Sequence, residues 1–316
     1  MNIINFINNL TNFGLIFAIN NFAGNHLNFI NPKISVSEKR DTNIKKYLKK
    51  KYTSIINEYN SCGVQGINQQ NRNPYTIWVC WQQGEDNMPD IMKICFNNIK
   101  RYANGNQVIL ITDNNYMNYV TIPDYIIKKV KKGKISRTHF SDILRICLLY
   151  EHGGLWLDST VLLTSPLEEM LYDFFSMKCK NDLWEHIGKK RWLSYYLYSV
   201  KHNILFDFTR RIFFEYTKHH NMFIDYYLID YIFDMGYDTI PAIRKLIDDI
   251  PVSNATPSFI GYFNYEKKFD SFEFNQLCLT THFHKLIGKK CFRKFTEDNE
   301  LTYYGFILQN FGLIKE

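Results

Sequence analysis

Asp142 and Arg145 lie three apart in Ser136-Arg-Thr-His-Phe-Ser-Asp-Ile-Leu-Arg145, and Asp158 closes the run Gly153-Gly-Leu-Trp-Leu-Asp158. These are the residues whose types and spacing can do chemistry. At i,i+3 spacing a carboxylate and a guanidinium share one side of a helix. A carboxylate at the carboxyl end of a strand stands where open α/β sheets place ligands. A diphosphate leaving group carries concentrated negative charge, which a bound divalent cation or fixed cationic side chains can neutralise as it departs. Magnesium-like ions take one or two protein carboxylates and fill their other positions with phosphate and water. A strand that ends in Asp, entered through Gly-Gly from a helix bearing D-x-x-R, therefore suggests nucleotide-sugar chemistry.

Several elements must position these groups. Phe140, Ile143, Ile146, Cys147 and Tyr150 recur at helical spacing. The Thr138 hydroxyl is a candidate cap for that helix. Gly153 and Gly154 can take the left-handed backbone that ends it, and they let another group approach closely because neither has a Cβ. Leu155-Trp156-Leu157 reads as a buried strand, with Trp156 in the core. Upstream, Thr76–Trp81 reads as a first core strand, Pro89 begins a helix that continues through Tyr102, and Gln107–Thr112 reads as a second buried strand. Strand, helix, strand predicts a mostly parallel sheet with right-handed crossovers, an α/β fold.

Residues 1–72 read as a helical segment and linker. Ile4, Phe6, Ile7 and Leu10 can form one apolar face, and Ser61–Pro74 reads as the linker. Lys45, Lys46, Lys49, Lys50 and Lys51 form a basic cluster on a second helix. That cluster is either a solvated face or a contact for an anionic inner leaflet. After Pro166 the chain reads as helix-rich, with helical periodicity over 167–175, 205–219, 223–233 and 240–250. An aromatic, basic segment holding Trp184, His186, Lys189, Lys190 and Trp192 lies between these helices. Residues 276–286 read as a strand leading into a loop.

The 316 residues are 46% hydrophobic, enough for one full core plus a helical appendage. The net charge of +7 suits phosphates or anionic lipid. No Arg stripe or nucleic-acid motif accompanies it, which argues against nucleic acid as a partner. The 7 cysteines show no C-x-x-C spacing; an odd count of that kind points to reduced thiols and a cytoplasmic setting. Residues 10–23 are too short and too polar to cross a bilayer or to serve as a leader.

The runs Ile77-Trp-Val-Cys-Trp-Gln-Gln-Gly84, Ser136–Arg145 and Gly153–Thr160 resemble the bacterial capsular polysaccharide synthesis glycosyltransferases. These are similar to the wider DxD-type sugar transferases, which include yeast mannosyltransferases and large clostridial toxins. The resemblance implies a Rossmann-like A-type glycosyltransferase fold, with residues 73–316 as the catalytic domain. Within it, 73–165 would bind the nucleotide-sugar, such as a UDP-sugar, and 166–316 would form the acceptor side. It further implies that Trp78 lies near the donor base, that Asp142 and Arg145 contact donor sugar and phosphate, and that Asp158 is the first carboxylate of the D-x-D element. The third position of that element is Thr160, a poorer ligand for a hard cation, which leaves dependence on Mn2+ or Mg2+ open. The wider group implies a retaining outcome.

Beside these, His139 and Ser141 are candidates to line the donor cleft. Asp225 and Asp230 sit in a very aromatic stretch and are candidates for acceptor hydroxyls, Asp230 with a catalytic role. His282, His284 and Lys285 are candidates to close over the diphosphate. A glycan or lipid-linked oligosaccharide is the expected acceptor. A binding module without turnover and a membrane-peripheral protein stay open as alternatives.

Overall fold

The computed structural model describes residues 3–14, 17–18, 36–61, 72–179, 187–254, 260, 264–288, 290 and 292–312. Helices α1 (Ile3–Phe13), α2 (Val36–Lys51) and α3 (Thr53–Ser61) precede strand β1 (Thr76–Cys80). Then come α4 (Asp90–Arg101), β2 (Gln107–Ile111), α5 (Asp124–Lys131) and α6 (Arg137–His152). Next are β3 (Gly154–Asp158), β4 (Val161–Leu163), β5 (Phe174–Ser176), β6 (Lys178–Cys179) and β7 (Tyr196–Ser199). The chain continues through α7 (Ile204–His219), α8 (Leu228–Thr239), α9 (Pro241–Asp248) and β8 (Val252–Asn254). It ends with α10 (Ser271–Cys278), β9 (Phe283–Lys285) and α11 (Tyr303–Asn310).

The described residues fall into two compact units. One comprises residues within 67–120, 147–203 and 246–316 and holds all the strands named above. Its five-stranded sheet has the order β2-β1-β3-β7-β5. β2, β1 and β3 are mutually parallel, while β7 is antiparallel to both β3 and β5, so four of the five strands share one direction. This is a mixed α/β architecture with a mostly parallel central sheet. β1 connects through α4 to β2 on one side, and β3 lies on the other side of β1. Open α/β sheets bind their ligands outside the carboxyl ends of two strands arranged in this way. Cys80 pairs with both Ile111 and Asp158, so three strand ends align in one row.

The sequence explains these elements locally. Asp90 and Asp124 stand in the first turns of α4 and α5, and Lys or Arg residues fill the last turns, which complements each helix dipole. Pro89 and Pro123 precede them as cap residues. The cap of α6 is Ser136, not Thr138: its hydroxyl accepts from the His139 backbone N–H at 3.2 Å. Gly153 and Gly154 both have positive φ, 69° and 94°. A Cβ on Gly154 would sit 2.3 Å from the Thr76 carbonyl oxygen, so β1 and β3 can approach only because that atom is missing.

Three expectations are corrected here. Residues 223–227 are not helical, so the helix that periodicity places over 223–233 begins only at Leu228, as α8. Residues 167–173 are not helical. Their backbone is held by distant partners instead: Leu167 N–H donates to Tyr102, Met170 N–H donates to Asn73, and the Asn104 amide donates to the Leu167 carbonyl. These long-range bonds outweigh local propensity. Residues 271–278 form α10 rather than a strand, because Asp270 caps the Glu273 N–H in a D-x-x-E arrangement. The strand is the short β9 that follows.

The second unit comprises described residues within 1–66, 121–146 and 204–245 and is helical; the division falls inside α6. α2 packs on α8, with Lys45 paired to the buried Asp234. Lys46, Lys49, Lys50 and Lys51 are exposed. On α1, Ile7 and Leu10 are exposed while Phe13 is buried, so the expected apolar face is not the buried one among the described side chains. The Ile4 and Phe6 side chains, most of the 61–74 linker, Trp184 and His186 lie outside the described residues. Among those described, Cys80, Cys95, Cys147, Cys179 and Cys278 are free thiols. No described helix is long and apolar enough to cross a membrane.

Candidate functional site

Asp158 ends β3 with its side chain 27% exposed. Both carboxylate oxygens are engaged. Oδ1 accepts from the Trp156 indole N–H at 2.9 Å, and Oδ2 accepts from the Lys285 ammonium at 2.6 Å. The same ammonium donates to Thr160 Oγ1 at 2.7 Å. Lys285 Nζ therefore bridges the first and third positions of the Asp158-Ser159-Thr160 turn. It also stands 5.0 Å from the centre of the Tyr195 ring, within range of a cation–π attraction.

The bridge is a product of strand pairing. β4 runs antiparallel to β9, with Val161 opposite Lys285 and Leu162 opposite His284. Backbone bonds from Leu286 N–H to the Thr160 carbonyl and from Thr164 N–H to the His282 carbonyl extend the pairing at both ends. Asn98 on α4 fixes β4 in turn. Its side-chain oxygen accepts from Leu163 N–H at 2.7 Å, and its amide donates to the Leu163 carbonyl at 3.0 Å, both buried. On the other flank, Asp158 N–H donates to the Tyr195 carbonyl, and the Phe283 ring meets Tyr196 edge-on at 4.7 Å.

Trp78 is buried, and its indole N–H donates to the Gly153 carbonyl at 2.8 Å. Trp156 is a core residue, as expected. His284 is fully buried beside Lys285; burial, then the neighbouring His282, pushes its pKa down to about 3, so the ring is neutral. Cys95, buried on α4, has its thiol pushed up to about 12 by burial, with the Lys285 charge opposing the shift.

In the helical unit, Asp142 and Arg145 form an ion pair at 3.2 Å with both side chains under 10% exposed. This is a buried pair, a property that i,i+3 spacing leaves open. His139 stacks on Phe223 with ring centres 3.9 Å apart, and burial lowers its pKa to about 4 against the opposing effect of Asp225. Ser141 is half-buried. Asp225 is buried, pairs with Arg40 and accepts from Tyr227 N–H just ahead of α8. Asp230, in the first turn of α8, is buried.

The geometry thus joins Lys285 to Asp158 and Thr160, the first and third positions of the D-x-D element, and adds Tyr195 and the Trp156 indole, which the sequence does not assign to the site. Only the aromatic run Tyr195-Tyr196-Leu197-Tyr198 signalled Tyr195. A divalent cation between positions 158 and 160 finds one carboxylate, one neutral hydroxyl and an ammonium already in the gap. This donor set does not fit such an ion without displacing Lys285. Among the described residues no group of three or more His, Cys, Asp or Glu could hold a metal.

A family model described as capsular polysaccharide synthesis protein matches residues 24–307. No curated protein matches the chain.

Proposed function

Because the chain belongs to the capsular polysaccharide synthesis protein family, we propose that it is a glycosyltransferase that takes a sugar from a nucleotide-sugar donor and passes it to a glycan acceptor in capsule synthesis. The observation that carries this reading is the position of Asp158 at the end of a parallel strand, held jointly by Trp156 and Lys285. A crevice at such strand ends accepts phosphorylated ligands. The Lys285 ammonium offers a fixed positive charge for the donor diphosphate, and Tyr195 offers an aromatic face beside it. The proposal includes an A-type glycosyltransferase fold for the sheet unit and a retaining outcome. The donor-contact roles that the resemblance gives Asp142 and Arg145, and an acceptor role for Asp230, are carried as separate proposals, each open to its own substitution.

The test is nucleotide release by the full chain from a panel of UDP-, GDP-, ADP- and CMP-sugars, with a capsular oligosaccharide acceptor. Release with one donor, and a product whose anomeric configuration is read by NMR, is the expected result. Saturable binding with no release in the presence of acceptor would reassign the chain as a binding module.

A further inference from the structure

We propose that Lys285 is a built-in replacement for a divalent cation, so that the chain binds its donor diphosphate without metal. The inference rests on the donor-site reading above. Three observations carry it. First, the ammonium lies where an ion bridging positions 158 and 160 would lie, 2.6 Å from Asp158 Oδ2 and 2.7 Å from Thr160 Oγ1. Second, charge balances. Two carboxylates with a divalent ion sum to zero, and so do Asp158, neutral Thr160 and Lys285. Adding a divalent ion here would set two positive centres side by side, which is costly in a partly buried site. Third, the lysine is anchored and not swinging on a loop. β9 pairs with β4, Leu286 N–H bonds the Thr160 carbonyl, and Tyr195 stands beside the ammonium.

An ammonium has three donors. Asp158 and Thr160 take two, and the third serves a phosphate oxygen. The threonine at position 160 then has a reason: a hydroxyl accepts from the ammonium without adding a negative charge that would repel the diphosphate.

The experiment is calorimetric titration of UDP, GDP, ADP and CDP into the full chain, once with EDTA and once with Mn2+, with the Mn2+ EPR spectrum recorded alongside. The expected result is that one nucleotide diphosphate binds with the same affinity in both buffers, and that the EPR signal stays that of free Mn2+ and its nucleotide complex. Lys285→Met should weaken that binding at least about tenfold, and Lys285→Arg should retain most of it. Binding that requires Mn2+, with a protein-bound EPR signal, would overturn the inference and leave the donor-site reading standing. Binding of none of the four under either condition would overturn both. The wild-type comparison decides the matter even if Lys285→Met fails to fold.

Discussion

Gly154→Ala should be far more damaging than its chemistry suggests, and the reason can be separated into two parts. At φ 94° an alanine adopts a backbone that costs about 1–3 kcal/mol. The added Cβ would also lie 2.3 Å from the Thr76 carbonyl oxygen and 3.1 Å from the Trp78 indole nitrogen. Neither can yield cheaply, since one is backbone of the neighbouring strand and the other is bonded to Gly153. Overpacking of this kind costs about 1–3 kcal/mol more. Gly84 is the control. It has φ 87°, belongs to the same unit, and a Cβ there meets nothing within 4 Å. Gly84→Ala should therefore lose only the backbone contribution. Because Trp78, Trp81, Trp156 and Trp192 all belong to the sheet unit, tryptophan fluorescence in a urea titration reports on that unit selectively. The expected losses are about 1–3 kcal/mol for Gly84→Ala and about 2–6 kcal/mol for Gly154→Ala. Equal losses would refute the claim that β1 and β3 close over the missing Cβ.

Asn98→Ala strips partners from both backbone groups of Leu163 and should cost about 3 kcal/mol in the same titration; a loss below about 1 kcal/mol would mean that β4 is held by other contacts. His220 and His284 are buried, with pKa values lowered to about 4 and about 3 from an ordinary 6.5. The unfolded chain therefore binds more protons than the folded one below pH 6.5, and stability falls as pH drops. Each group contributes a slope of at most about 1.4 kcal/mol per pH unit. The urea midpoint should drop between pH 6.5 and pH 5, and His284→Leu should flatten the fluorescence-detected part; a midpoint independent of pH would contradict the burial of these rings.

Much of the sheet unit was legible because its signals are local. Short apolar runs bounded by Asn, Gly and Pro marked β1, α4 and β2, and the double glycine marked the join of α6 and β3. What was not legible is long-range. Lys285 meets Asp158 across 127 residues of chain, through two three-residue strands too short to show any periodicity. β7 is buried at all four positions and so carries no alternation. The 167–173 segment looks helical because its own residues favour a helix, but its backbone bonds go to Tyr102 and Asn73. Asp142 and Arg145 were legible as a pair on one helix side, yet spacing carries no information on burial, and both side chains are internal.

The most direct test of the account is Asp158→Asn. Asparagine keeps the size of the side chain and an oxygen for the Trp156 indole, but removes the charge that holds Lys285. With the circular dichroism spectrum and urea midpoint close to wild type, nucleotide release from the preferred donor should fall by about 100-fold or more. A folded Asp158→Asn protein that releases nucleotide at the wild-type rate would contradict the assignment of this strand end as the donor site.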